Sequence, residues 1–506
     1  MSLHSLVAAR AVAAPDAVAV IHRQTSLSYG ELASEIERIA RGLVARGVHQ
    51  GDRVLALAGN SPALIALYLA VGRVGAVYVP VSPGFREREG RFVLDNANPV
   101  LAVVEQSLLP EFASWSDDHQ VQIIVLRDSD SPLSEGMGDF DDLGMHDSGI
   151  CDRVIDEESG LLLCYTSGTT SMPKPVLHSH RSEVYNATTY ASVWGLNPAD
   201  RGVVALPLAW VYGLSTTTAA LLVSGSTVIL LDRFNPVAVV EAIAEHRATA
   251  IWGTMSMYTK ILEVVNSGHE ADLSSLRLAN NGGEPCPPPL VRSFEKRTGV
   301  TLLGSYATSE ARPVLLIRPG DDNVPEGSVG QLVPGADIKL ETATGDEVPE
   351  GTGHALLQCP GLMSEYYKQP DLTAEKMTAD GWFRSGDLLR RDENGYYFVV
   401  GRLNEMIIRS GANIAPAEIE SELVSHKDVI DAAVVGVPDS RSGEAVLAYV
   451  VCANGARFDE GELREYLSDR LATYKIPQHF ICLDELPRTG RGKLDRKALR
   501  DKGALL

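Results

Sequence analysis

Between residues 31 and 81 the hydrophobic pattern switches between helical and strand character, and that alternation directs the chain towards a parallel α/β fold. Glu31 to Arg46 carries Leu32, Ile36, Ile39, Ala40, Leu43 and Val44 at three- and four-residue spacing. This is one apolar helical stripe, with Gly47 suited to its carboxyl cap. Val54–Ala58 then reads as a strand, Ala63–Arg73 as a helix and Ala76–Val81 as a strand ending near Pro83. The same order recurs at Val228–Leu231, Val237–His246 and Ala250–Trp252, so the amino-terminal portion is expected to hold two layered α/β sheets.

A chain of 506 residues exceeds one ordinary core and leaves room for a smaller partner domain. Residues 106–158 turn acidic and turn-rich and read largely as a surface excursion. From Gly327 to Gly401 short β-rich segments alternate with Gly, Pro and Asp turns, which predicts a mainly β subdomain. The last hundred or so residues predict strands at Ala432–Val437 and Val446–Val451 and helices at Pro416–Ser425 and Glu460–Leu471, a small α+β domain. The expected division is therefore a domain of residues 1–401, a crossing at 402–405 and a domain of residues 406–506.

Composition narrows the function. With 45% hydrophobic and 22% charged residues there is no case for extensive disorder. A net charge of −21 opposes general adhesion to nucleic acid or anionic membranes, while leaving room for a local basic site. The six cysteines lie far apart without a C-x-x-C pair, which argues against a disulfide framework or a zinc site. Arg10 interrupts the alanine-rich amino terminus before an export-type apolar run forms, so a cytoplasmic enzyme is expected. Val203–Leu231 is free of charge, but Pro207, Gly213, the Ser215–Thr218 cluster and Ser224–Ser226 break it into strand, loop, helix and strand rather than a membrane span.

The segment Tyr165-Thr166-Ser167-Gly168-Thr169-Thr170-Ser171-Met172-Pro173-Lys174 follows the apolar run Leu161–Cys164. A small, hydroxyl-rich loop at a strand end offers amides and hydroxyls to phosphate oxygens, and Lys174 adds a positive charge. A Walker-type loop needs Gly before the lysine and Ser or Thr after it; Pro173 and Pro175 stand there instead. The segment resembles the phosphate-loop signature of the adenylate-forming superfamily of acyl-CoA synthetases, nonribosomal-peptide adenylation domains and beetle luciferases. Leu27–Leu32 and Gly75–Pro80 resemble its early motifs, and further matches follow in the family's order almost to the end of the chain.

The resemblance implies ATP, Mg2+ and coenzyme A as reaction partners of a small-molecule carboxylic acid. It assigns Ser305, Tyr306, Ala307, Thr308 and Ser309 to the nucleotide, with Tyr306 packing on adenine, and Glu310 to magnesium. A single carboxylate beside a triphosphate suits a hard cation that keeps several waters. Gly282, Gly283, Glu284 and Pro285 resemble the adenine-facing loop. Asp387 in Gly381–Asp387 is implied to accept bonds from both ribose hydroxyls, as a carboxylate can. Phe398 and Arg402 are implied nucleotide neighbours, and Asn404 the pivot, where relatives commonly have Asp or Lys. Lys493, in Leu486–Arg496, is implied to neutralise charge between the incoming carboxylate and the α-phosphate, with Thr166 and Glu310 completing the catalytic set.

Leu206–Leu214 resembles the segment beside the acyl group, with Trp210 where many acyl-CoA synthetases have histidine. Tyr212, Gly213, Gly253, Thr254 and Ala307 are expected in the same pocket. No carboxylate in Ala209–Tyr212 awaits a substrate ammonium, which disfavours an α-amino acid; Arg312 is the one nearby candidate to read a second carboxylate, or else faces solvent or phosphate. A hydrophobic or bulky monocarboxylic acid is preferred. Ser410 and Gly411 resemble the motif that a rotating carboxyl-terminal domain brings in to form the thiol tunnel. Departures from the family pattern include Ser171, Pro175, Ala307, Ser309 and Glu365. The implied fold is α/β, with a large amino-terminal domain of two layered α/β subdomains plus a β-rich one, and a small mobile α+β carboxyl-terminal domain. The implied function is an acid:CoA ligase acting through an acyl-adenylate. An enzyme loading a carrier protein and a degenerate nucleotide-binding protein are the competing readings, and a homodimer is left open.

Overall fold

The computed structural model describes residues 2–116, 119–129, 131–134, 136–144, 154–166, 172–269, 271–284, 287–342, 344–410, 412–439, 441–453, 457–488 and 494–503. The first amphipathic stripe is a helix, Tyr29–Ala45, started by a capping box: the Glu31 amide donates to Ser28 Oγ at 3.2 Å and the Ser28 amide to Glu31 Oε2 at 2.7 Å. Its buried face includes Leu32, Ile39 and Leu43, each worth ~1.5–3 kcal/mol when removed from water. Gly47 follows with φ of 81°, a left-handed residue that ends the helix at low steric cost.

Among the described residues an eight-stranded sheet runs in the order 365–366, 174–179, 160–166, 77–81, 53–57, 101–105, 122–126 and 138–139. Its centre is parallel, with Val54 opposite Tyr78 and Leu101, and its middle strands are buried on both faces, as continuous apolar runs require. A nine-stranded sheet has the parallel strands 302–306, 278–281, 250–253, 201–204, 227–230 and 18–22 at its heart. A four-stranded antiparallel sheet (337–341, 351–358, 383–391 and 397–402) occupies the region read as β-rich. The carboxyl-terminal domain is a five-stranded sheet carrying an apolar cluster on each face, around Ile419 and Leu467 on one and Leu447 and Leu499 on the other. Large and small domains of mixed α/β structure therefore agree with the expected class. Among the described residues no helix is long and apolar enough to cross a membrane.

One expectation needs correction. The acidic region after residue 106 is not mainly an excursion: the helix Leu109–Ser116 buries Phe112 and Trp115, and Gln122–Leu126 joins the sheet. Its polar composition hid a few large anchors. The charge-free stretch has the expected order of strand, loop, helix and strand, with Ser215–Thr218 inside a π-helical turn, Tyr212–Thr218. The hydroxyls that made it look irregular satisfy the widened turn, Thr217 Oγ1 donating to Tyr212 O at 2.7 Å and Thr218 Oγ1 to Gly213 O at 2.7 Å.

Candidate active site

The carboxyl ends of parallel strands from both large sheets open onto one cleft of about 1420 Å³, the position at which open α/β sheets bind ligands. Thr166 ends the strand Gly160–Thr166, Thr254 follows Ala250–Gly253, Gly282 and Gly283 follow Leu278–Asn281, and Ala307–Glu310 follow Leu302–Tyr306. The small domain closes the opposite side with Asp431 and Asp484–Arg488.

Part of the lining is ionic. Antiparallel register sets Lys174 directly opposite Thr166, and its Nζ lies 5.6 Å from the centre of the Tyr366 ring. The Tyr366 hydroxyl donates to Glu310 Oε1 at 2.7 Å. Burial, reinforced by that carboxylate, raises the Tyr366 pKa well above the phenol range, so the hydroxyl remains a donor. Among the described residues no further hydrogen bond engages the Glu310 carboxylate, and the side chain lines the cleft. One part-committed carboxylate facing open volume fits a magnesium ion that retains most of its water.

Another part is aromatic. Trp210, Tyr212, Tyr190, Met255 and Met257 line it together with Thr216 of the π-helical turn. Tyr212 is held by its hydroxyl, which donates to Asn280 Oδ1 at 3.1 Å. The indole nitrogen of Trp210 is buried and, among the described residues, unbonded.

Comparison with known proteins assigns the lineage. The sequence profile of AMP-binding enzymes matches residues 7–367, and that of the AMP-binding enzyme C-terminal domain matches residues 418–493. The chain belongs to the AMP-binding enzyme family. It is 37% identical over 493 residues to a feruloyl-CoA synthase of Amycolatopsis sp, covering 97% of each chain. It is 34% identical to an indoleacetate–CoA ligase of Aromatoleum aromaticum, covering 96% of this chain and 95% of the relative. The solved structure of ATP-bound MatB from Rhodopseudomonas palustris superposes with a TM-score of 0.90 at 30% identity, covering 100% of this chain and 99% of that one.

In this AMP-binding enzyme the cleft brings together Thr166, Lys174, Gly282, Gly283, Glu284, Ser305, Ala307, Thr308, Ser309 and Glu310 with Trp210, Tyr212, Thr254, Arg312, Arg402 and Asn404. Ser167, Gly168, Thr169, Thr170, Pro285, Gly411 and Lys493 lie outside the described residues. The residues bounding the Lys493 segment, Arg488 and Leu494, face each other in an antiparallel bridge, and Arg488 lines the cleft.

Other expected residues stand behind the lining. The Tyr306 hydroxyl donates to Asp387 Oδ2 at 2.6 Å and Arg402 Nε lies 3.0 Å from Asp387 Oδ1, so both carboxylate oxygens already have partners. Tyr306 and Asp387 are 8% and 3% exposed, and neither is among the cleft's lining residues. Burial raises the Asp387 pKa, and Arg402 and the Tyr306 hydroxyl oppose that rise.

Phe398 is not brought to the cleft: its ring is covered by the Arg390 guanidinium at 3.8 Å. The pairing passes from Leu388 opposite Gly401 to Leu389 opposite Val399, and this bulge at Val400 turns Phe398 to the face opposite Arg402. Gly213 and Gly253 also stand behind the lining. Gly213 permits close packing, since a Cβ there would sit 2.3 Å from Pro207 O. Ser410 occupies a left-handed turn (φ 52°) away from the cleft, its amide donating to Ser442 O at 2.7 Å.

Arg312 differs most from expectation. It reaches the cleft lining, but its side chain is 2% exposed and ion-paired with Glu183, whose side chain is 0% exposed. It is turned away from bulk solvent, and its charge is already matched. Sequence reasoning missed Glu183, Tyr366 and Lys376, the last two also lining the cleft. Only the helical register of Glu183 beside buried Ser182, Asn186 and Ala187 could have flagged it as a charge turned inward.

Proposed function

We propose that this chain is an ATP-dependent carboxylic acid:CoA ligase that converts a bulky, aryl-bearing monocarboxylic acid to its acyl-adenylate and then to a coenzyme A thioester. The observation that carries this reading is a single cleft whose lining combines Thr166, Lys174 and Glu310 with Trp210 and Tyr212. Glu310, steadied by Tyr366, would hold a magnesium ion, which when bound would supply Lewis-acid polarisation of phosphate oxygens. Lys174 and the hydroxyl loop containing Thr166 to Thr170 receive the polyphosphate. Lys493, on the segment between the bridged residues Arg488 and Leu494, lowers the barrier where the acid's carboxylate meets the α-phosphate, because a preplaced ammonium offsets two approaching anions.

The aromatic part of the lining supports an aromatic acid. Its aromatic and methionine surfaces favour a flat apolar group, and the feruloyl and indoleacetate specificities named for two relatives are of that class. The pairing of Arg312 with Glu183 takes that guanidinium out of the set that could read a second carboxylate. In the second half-reaction the carboxyl-terminal domain turns about Asn404 and brings Ser410 and Gly411 to the pantetheine path, as in relatives that alternate domains.

Incubation with ATP, Mg2+, CoA and a panel of arylacrylic, arylacetic, aliphatic and dicarboxylic acids, read by mass spectrometry, tests the proposal. Acyl-AMP and acyl-CoA from aryl monocarboxylic acids are expected. Acyl-AMP without thioester would transfer the second step to a carrier-protein thiol, and absence of AMP with every acid would refute the ligase reading.

A further inference from the structure

Beneath the cleft, polar side chains from separate elements meet almost without water. Glu183 on the helix His180–Val193 and Arg312, two residues beyond Glu310, form the ion pair at its centre. Glu183 Oε2 accepts from the Tyr68 hydroxyl at 2.7 Å and from Ser215 Oγ at 2.5 Å. Arg312 Nη2 also reaches Ser215 Oγ at 3.1 Å, while Nη1 lies 2.7 Å from His178 Nε2 and donates to the Ser309 carbonyl at 3.1 Å. Burial and the adjacent guanidinium hold the His178 pKa well below the ordinary imidazole value. The ring is neutral, and its Nε2 also stands 2.7 Å from the Ser309 carbonyl oxygen.

The two ends of this network are parts of the site. Ser215 belongs to the π-helical turn that presents Tyr212 and Thr216 to the aromatic part of the cleft. Ser309 immediately precedes Glu310, whose own carbonyl accepts from the Met363 amide at 2.7 Å. Between them stands a pair of charges that burial makes an inefficient source of stability, since apolar side chains of similar volume commonly do as well. The pair's distinctive property is directional: the guanidinium fork grips Ser309 O, Ser215 and Glu183 together.

We propose that Glu183 and Arg312 are positioning residues that lock the acyl-side turn and the Ser309–Glu310 backbone into one geometry, so that magnesium and the acid are placed relative to each other. This rests on the ligase reading and deepens it. Neither residue exchanges a proton or touches the reacting atoms; they act through Glu310 and the turn.

The test compares wild type with Glu183→Gln, Arg312→Lys and the apolar double variant Glu183→Leu/Arg312→Met. The double variant removes both charges together and is expected to melt near wild type. Its kcat for acyl-AMP formation is expected to fall about ten- to a hundredfold, as for a small misplacement of reacting groups. Manganese binding in the complex with a non-hydrolysable ATP analogue, followed by electron paramagnetic resonance, is expected to weaken roughly fivefold because the Glu310 backbone is no longer fixed. A double variant with wild-type melting, manganese affinity and kcat would overturn the proposal, leaving the pair as core filling. Should that variant not fold, Arg312→Lys and Glu183→Gln carry the same measurements, and wild-type manganese affinity in both overturns it equally. Inactive wild type with every acid would instead remove the ligase reading, and the proposal with it.

Discussion

Arg488 of the small domain reaches Glu284 of the large domain, its Nη1 lying 3.7 Å from Glu284 Oε1 while its Nη2 stands 2.9 Å from Asp431 Oδ2 within its own domain. The arginine is 27% exposed and Glu284 15%, so the contact is partly shielded from salt at the edge of the cleft. It ties the start of the Lys493 segment to the loop that follows the strand Leu278–Asn281.

Glu284→Gln is expected to remove that tie without emptying the site. A partly exposed pair of this length is worth ~0.5–1 kcal/mol, so acyl-AMP formation should slow about two- to fivefold. The loss should shrink in high salt, which already weakens the pair in wild type. Thioesterification of supplied acyl-AMP should not slow. Stopped-flow measurement of both half-reactions across an ionic-strength series checks this, and equal slowing of both would contradict a tie specific to the adenylating arrangement.

Lys493→Ala is expected to abolish nearly all acyl-AMP formation while sparing the reaction of supplied acyl-AMP with CoA. The reason is that two anions must approach only in the first half-reaction; removal of one preplaced charge-stabilising donor typically costs about 10²–10³ in rate. Pyrophosphate release and thioester formation, assayed separately, give the answer. Comparable loss in both would assign the lysine elsewhere.

Trp210→Phe should leave stability almost unchanged and alter the choice of acid. The indole nitrogen is buried without a bond, an arrangement that costs ~1–3 kcal/mol, so its removal offsets the smaller ring's reduced burial. The melting temperature should move by no more than about 3 °C, while kcat/KM shifts towards acids with larger rings. A lower melting temperature with an unchanged acid profile would make Trp210 a packing residue.

His180 links burial to acid stability. Its ring nitrogens are buried and, among the described residues, unbonded, and burial lowers its pKa to about 4. The unfolded value is near 6.5. A depressed histidine contributes stability that is fully present above the unfolded value and is lost as pH falls through the folded one, so the window runs from about 6.5 down to about 4. Denaturant unfolding at stepped pH should show wild type losing up to ~1.4 kcal/mol per pH unit from this group, and His180→Leu lacking that component. Parallel pH profiles for the two proteins would show that His180 does not titrate in this window.

Much of the fold was legible because it is written locally. The Ser28–Glu31 capping box, the stripe from Leu32 to Leu43 and the doubly buried strand Val77–Val81 each declare themselves within a few positions. The site was legible in part, since Thr166, Lys174, Ala307 and Glu310 follow strand ends whose carboxyl edges share one cleft. Phe398 escaped that logic: a single bulge at Val400 inverts the alternation that would put it on the face of Arg402.

The sequence by itself determined the order of strands and helices, the family and the residue types available to bind a nucleotide, because periodicity, caps and ordered motifs are properties of neighbours along the chain. The tertiary structure alone decided which charges remain available to a ligand. Glu183 and Arg312 are 129 positions apart, and only packing in the same water-poor layer turns a candidate substrate cation into half of a buried pair.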